Sequence, residues 1–278
     1  MAPSWFVVDW QCCLGAGGEG EVFLGRSLDT WELCAIKVSA LVDPVAARRE
    51  LEKELRRCTR AAGDGVVGVI GWNLDAPRPF LVFEFARAGS LADEVTLLHN
   101  KGHVYHPVRA LERIREVLVA LAKVHDRGLV HRDVKPANLL RFGQRIKVAD
   151  FGSGRTLDFP HAERGEGFIG TRAYAAPEQL RGEDVDERSD LYAVGCILHE
   201  MLSGDLPTEP ERAGVPIKYP NLLILPELDR LVRSLLAAQR SCRPRNARHA
   251  LTMVDSVLAS YSLARGLWEQ LELGPSPY

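Results

Sequence analysis

Short runs of alternating apolar and polar positions open the chain. WFVVDWQCCL (5–14), EVFLGRS (21–27) and ELCAIKVSA (32–40) are rich in β-branched and aromatic residues and are separated by Gly- and Asp-containing turns, which predicts three strands. The period then changes. DPVAARRELEKELRRCTRAA (43–62) reads as a helix, with Asp43 as N-cap, Pro44 at its first position and Gly63 after its end. Two more strand-like runs follow, VVGVIGW (66–72) and PFLVFEF (79–85). From Ser90 onward the pattern is helical. PVRALERIREVLVALAKVHDRG (107–128) puts Leu111, Ile114, Val117, Leu118, Leu121 and Val124 on one face. Further helices are expected in SDLYAVGCILHEMLSG, ELDRLVRSLLAA and ARHALTMVDSVLASYS. A small β-rich part before a larger helical part predicts an α+β molecule of two lobes joined near FEFARAG (83–89), with a small lobe over 1–86 and a large lobe over 87–261. Residues 262–278 read as an extension, helical and then loose, with Leu263, Leu267 and Leu271 as an apolar stripe packed on the large lobe. Such junctions favour active sites.

Composition narrows the class. The 278 residues are 46% hydrophobic and 26% charged, as in globular proteins, and a net charge of −2 leaves no electrostatic footprint for nucleic acid. No apolar run is long enough to span a bilayer, and MAPSWFVVDWQ lacks the form of a signal peptide, so the expectation is a cytoplasmic protein with no membrane partner. The six cysteines form no CxxC pair, which favours reduced thiols over a disulfide or zinc framework. Abundant Ala, and Arg in excess over Lys, hint at a GC-rich bacterial genome.

Several constellations carry candidate chemistry. Gly15, Gly17, Gly20 and Val22 form GxGxxGxV, where glycines would let backbone N–H groups approach phosphate oxygens. A strand follows rather than a helix, so the glycines cap a β-hairpin, against a dinucleotide-binding unit. Lys37 lies in an apolar strand and is either an edge charge or a buried cation with a dedicated anion. Glu54 is the chosen partner over Glu50 and Glu52, because Cys58 and Ala61 continue its inward face. VHRDVKPANLL (130–140) crowds His131, Arg132, Asp133, Lys135 and Asn138 between apolar ends, and KVADFG places Asp150 at the end of a short strand. With Asp133 and Asn138, Asp150 becomes a candidate ligand for Mg²⁺. Glu178 and Asp190 could each be an ordinary helix-start acid.

The order decides: GAGGEGEV, AIK, Glu54, HRDVKPAN, DFG, GTRAYAAPE, SDLYAVG. Over about Gln11 to Ser260 the chain resembles the protein kinase family, specifically the eukaryotic-like Ser/Thr kinases common in bacteria. Lys135 and Pro136 fit the Ser/Thr subclass. The resemblance implies the bilobal α+β kinase fold and ATP-dependent phosphorylation of Ser/Thr hydroxyls on protein substrates, itself among them. It implies that Asp133 orients the substrate hydroxyl and takes its proton, and that Lys135 steadies the transferring group. Asn138 and Asp150 would hold Mg²⁺, and Lys37, paired to Glu54, the α/β-phosphates. Adenine would lie between Leu14, Val22 and Ala35 above and Leu140 below, its edge at the backbone near Glu84 and Ala86, with Phe83 behind the pocket. His131 would be structural, packing beneath Phe151 with Cys58.

Three departures stand out. Glu19 puts a carboxylate at the tip of the glycine loop. Arg243 is present to pair with Glu178, but Gln239 and Arg240 replace the acid and proline usual upstream. The stretch 157–170 contains no Ser, Thr or Tyr, so Glu166 is the expected substitute anion for Arg132, with Thr171 on the substrate platform and control passing to a regulatory partner or to expression. Two other readings compete. A pseudokinase scaffold would lack one of Lys37, Asp133, Asn138 or Asp150, and a small-molecule phosphotransferase would lack the GT…APE segment.

Overall fold

The alternating N-terminal runs form an antiparallel sheet of β1 (Phe6–Gly17), β2 (Gly20–Ser27), β3 (Leu33–Ser39), β4 (Val69–Asn73) and β5 (Phe80–Glu84), in the order β1-β2-β3-β5-β4. The computed structural model describes residues 5–18, 20–156, 172–208, 219 and 223–270, apart from the side chains of 155, 156 and 267–270. Period-two alternation gives β3 two uses. Cys34, Ile36 and Val38 face a buried cluster with Phe23 and Val82, while Ala35 and Lys37 take the opposite face. On that face Lys37 is in register with Val22 and Leu81, and Ala35 with Phe83. Gly20 closes the β1–β2 hairpin at φ 154°, where a Cβ would lie 2.2 Å from the Val38 carbonyl oxygen, so only glycine fits. Trp5, Trp10, Trp31 and Trp72 are all at least half exposed on this lobe.

Helix α1 (Pro44–Ala61) begins as its sequence predicts. Asp43 accepts hydrogen bonds from the Ala46 and Val45 amides at 3.0 and 3.4 Å, and Pro44 occupies the first turn. Leu51, Glu54, Cys58 and Ala61 form its buried face. The run VVGVIGW is a strand only from Val69. Gly65, at φ 91°, turns the chain so that the Val67 amide donates to the Val148 carbonyl at 2.9 Å, tying this segment to the other lobe.

The large lobe contains α2 (Leu91–Asn100), α3 (Pro107–Asp126), α4 (Pro177–Leu180), α5 (Glu187–Ser203), α6 (Pro226–Leu235) and α7 (Ala247–Gln270). Two short ribbons, β6 (Leu129–Val130) with β9 (Arg155–Thr156) and β7 (Leu139–Phe142) with β8 (Arg145–Val148), lie near the lobe junction. All six expected apolar positions of α3 are fully buried, each worth about 1.5–3 kcal/mol. α5 is buried on nearly every side, as its continuous apolar sequence requires. α7 continues past the expected boundary at 262 because no Gly or Pro interrupts it there. The Tyr261 hydroxyl anchors it to the Leu223 carbonyl at 2.7 Å, but Leu263 is 70% exposed, against the expected packing of the stripe at that position. The side chains of Leu267 and Leu271 lie outside the described residues. No described helix is long and apolar enough to cross a membrane. All six cysteines are free; Cys34, Cys58 and Cys196 are buried, Cys12 is half-buried, and Cys13 and Cys242 are exposed.

Candidate active site

The expected residues converge between the lobes. Lys37 Nζ donates to Glu54 Oε1 at 2.8 Å and to Asp150 Oδ1 at 3.0 Å, so β3, α1 and the segment after β8 meet at one buried ammonium. Glu50 and Glu52 instead pair with Lys53 and Arg48 on the exposed face of α1. Burial pushes the Asp150 carboxyl up, but the Lys37 charge and hydrogen bond outweigh it and hold the group below the ordinary carboxylate range. Phe151 is fully buried, with its ring centroid 4.8 Å from that of His131. Cys58 shares this core, and its thiol is pushed up to about 12 by burial and then by Glu54.

Asp133 is buried at the turn after β6. Lys135 Nζ lies 2.7 Å from its Oδ2, and the Asn138 amide donates to its carbonyl at 2.9 Å. His131 is fully buried; its Nδ1 accepts from the Asp133 amide at 3.3 Å while Nε2 donates to the Ala149 carbonyl at 2.9 Å, which fixes the tautomer. The whole turn hangs from Asp190 on α5. Its Oδ2 accepts from the His131 amide and its Oδ1 from the Arg132 amide, both at 2.9 Å, and His125 on α3 reaches Oδ2 at 2.8 Å. Arg132 and Asp150 are held at φ 70° and 65°, conformations that cost non-glycine residues roughly 1–3 kcal/mol each and gather at functional sites. Asp190 and Glu178 are therefore more than helix-start acids. Glu178 forms a two-pronged pair with Arg243 at 2.7 and 2.8 Å, both fully buried.

Leu14, Val22, Ala35, Phe83 and Leu140 are apolar yet only partly covered, as the walls of an open cleft would be. The Ala86 amide is 9% exposed as a residue and donates to no described group, an unusual state for a buried N–H and one that suits a ligand acceptor. Gly15 and Gly17 have no protein atom within 4 Å of a built Cβ, so packing among the described residues does not demand glycine there; close approach of an external group would. Glu84 uses its side chain as well as its backbone position: Oε1 accepts from the Gly68 amide at 2.8 Å and Oε2 pairs with Lys147 on β8. The sequence reading missed this link, and also missed Arg57 of α1, whose guanidinium donates to the Gly152 carbonyl. Neither lies in a recognisable motif, and both contacts join residues far apart in the chain. Glu19, Glu166 and Thr171 lie outside the described residues.

A five-stranded lobe over a helical lobe, with these groups at the junction, is a bilobal α+β kinase fold. Residues 10–251 match the protein kinase domain family. The chain is 33% identical over 248 residues to serine/threonine-protein kinase PknB of Mycolicibacterium smegmatis, covering 81% of this chain and 38% of that protein. It is 32% identical over 296 residues to serine/threonine-protein kinase pkn2 of Myxococcus xanthus, covering 96% and 35%. With PknB of Mycobacterium tuberculosis it shares 34% identity over 207 residues, or 70% and 32%. The chain belongs to the protein kinase domain family, and the relatives named here are bacterial Ser/Thr kinases. It spans about a third of their length.

Proposed function

We propose that this chain transfers the γ-phosphoryl group of ATP to serine and threonine hydroxyls of protein substrates, itself among them. The observation that carries the reading is the two-way bond of Lys37 to Glu54 and Asp150, formed beside the Asp133–Lys135–Asn138 turn. Asp133 orients the attacking hydroxyl and takes its proton as the new oxygen–phosphorus bond forms. The bond from the γ-phosphorus to its bridging oxygen breaks, and ADP leaves. Lys135 neutralises charge on the group in transit, and Lys37 holds the α/β-phosphates. Such chemistry is mostly positioning and charge stabilisation, which accounts for so many polar groups at a core edge.

A divalent cation fits the oxygens present. The Asn138 nitrogen is committed to Asp133, which leaves its carbonyl oxygen free, and Asp150 is engaged through Oδ1 by Lys37 and by the Gly152 amide, which leaves Oδ2. Two hard ligands suit Mg²⁺, which completes its shell with water and phosphate oxygens. No group of three or more His, Cys, Asp or Glu among the described residues could hold a metal unaided. When bound, Mg²⁺ supplies charge neutralisation at the phosphates. Free, partly buried thiols support a reducing cytoplasmic setting.

The test is incubation of the purified protein with labelled ATP and Mg²⁺, with phosphorylated residues mapped by mass spectrometry. Asp133→Asn is expected to keep its melting temperature and nucleotide affinity while transfer falls by about 10²–10⁴. Full transfer in that variant would overturn the role given to Asp133.

A further inference from the structure

Directly after Leu140, the proposed floor of the adenine slot, comes Arg141, a cation within β7 for which the reaction has no evident use. Its contacts run to the linker between the lobes. The Arg141 amide donates to the Gly89 carbonyl at 2.8 Å, and its Nη1 donates to the Ala88 carbonyl at 3.2 Å. Its Nε lies 3.0 Å from Glu94 Oε2 on α2, and the same oxygen lies 3.5 Å from Nη2 of Arg113 on α3, a guanidinium that is 95% buried and donates to the Gln144 carbonyl. Ser90, which caps α2 through a reciprocal bond with Asp93, pairs with Leu140 as an isolated antiparallel bridge.

We propose that Arg141 is a positioning residue for the adenine end of the nucleotide, setting the distance between the linker that faces the base edge and the floor that faces the base plane. The proposal rests on the reading of Glu84–Ala86 and Leu140 as the adenine site. Ala88 and Gly89 lie outside regular secondary structure, so their carbonyls need donors from elsewhere. A single side chain rooted beside Leu140 supplies one of those donors, and the backbone of the same residue supplies the other. Glu94 then holds the guanidinium by charge alone, within reach of Arg113 as well, and the directional contact of the side chain is its bond to the Ala88 carbonyl. Linker and floor therefore move together, and a change at Arg141 changes the slot without touching Lys37, Asp133 or Asp150.

The experiment compares binding of adenosine and ADP by calorimetry, together with steady-state kinetics, in the wild type, Arg141→Leu and Arg141→Lys. Leucine keeps the apolar stem and removes every side-chain donor; lysine keeps the charge and one line of donation. Arg141→Leu is expected to weaken adenosine and ADP by the same factor, about tenfold, equivalent to about 1.4 kcal/mol, because the phosphates bind at the far end. KM for ATP should rise accordingly with kcat at saturating ATP unchanged, and Arg141→Lys should recover part of the affinity. A lower melting temperature with unchanged adenosine affinity would overturn the proposal, as would a fall in kcat alone. If the wild type itself binds neither ligand, the adenine site is misplaced and the proposal falls with it. Normal wild-type binding with an unaltered Arg141→Leu overturns this proposal only.

Discussion

Lys37 is one ammonium among three claims on its charge: Glu54, Asp150 and, in the proposed reaction, phosphate oxygens. Its burial makes the partners unequal in consequence to their neighbours on the same helix. Glu54→Gln removes the only acidic side chain that α1 presents to Lys37, whereas Glu50 and Glu52 sit in exposed pairs worth about 0.3–0.5 kcal/mol. Glu54→Gln should lower kcat/KM about 10–100-fold, with Glu50→Gln and Glu52→Gln close to wild type in a peptide phosphorylation assay. Equal losses in all three would refute the distinction. Residues of this kind were legible in the sequence because their chemistry is fixed to local motifs, and Glu54 followed from helical spacing to Cys58 and Ala61. Arg57, Glu84's side-chain link and Arg141 were not. Each acts on a backbone carbonyl or a distant lysine, and an arginine that bonds a carbonyl 95 residues away leaves no pattern in its own neighbourhood.

At the scale of elements, α5 is the post from which the catalytic turn is suspended, and its attachment is one carboxylate. Burial raises the Asp190 pKa, but hydrogen bonding and charge from His125, then His131 and its amide, bring it below the ordinary carboxylate range. A depressed folded pKa stabilises the fold fully above the unfolded carboxylate value and loses that contribution as pH falls through the folded one. Asp190→Asn strips charge from a buried pair, a loss of about 3–5 kcal/mol, or about 10 °C in melting temperature at neutral pH. The gap between variant and wild type should narrow as pH falls below the ordinary carboxylate value of about 4. Thermal melts across that range would refute the assignment if the gap stayed constant. Helix types and the lobe order were readable from periodicity here, whereas two boundaries were not. Glycines near β4 diverted the chain to β8, and α7 ran on through Ser262 because no Gly or Pro stands at that boundary.

For the whole molecule, the open question is what switches it. The stretch 157–170 has no hydroxyl side chain, so phosphate cannot be placed there by a Ser/Thr kinase, and a carboxylate offers less charge and fewer acceptor oxygens. We propose that activity is independent of phosphorylation in this segment, with Glu166 serving Arg132 and control resting on a regulatory partner or on expression. Phosphatase-treated enzyme should keep its initial rate toward a peptide, and Glu166→Ala should lower it several-fold. A large loss on dephosphorylation, restored by phosphate at Thr171 or Thr156, would refute this. The composition of the segment was plain in the sequence; its geometry lies in the residues the structure does not describe.

The uneven placement of tryptophan has an optical consequence. Four of the five tryptophans lie on the β-rich lobe, at Trp5, Trp10, Trp31 and Trp72, and the fifth is residue 268 of α7. Emission from the protein is therefore dominated by one lobe, while far-ultraviolet dichroism is dominated by the helices of the other. Trp10 lies on β1 just ahead of the glycine loop, 5.1 Å from Phe23 and under the Arg78 guanidinium, so its signal is coupled to the roof of the cleft. The two spectroscopies see different halves of the same molecule, and coincident melting curves would mean that the lobes lose their structure as one unit.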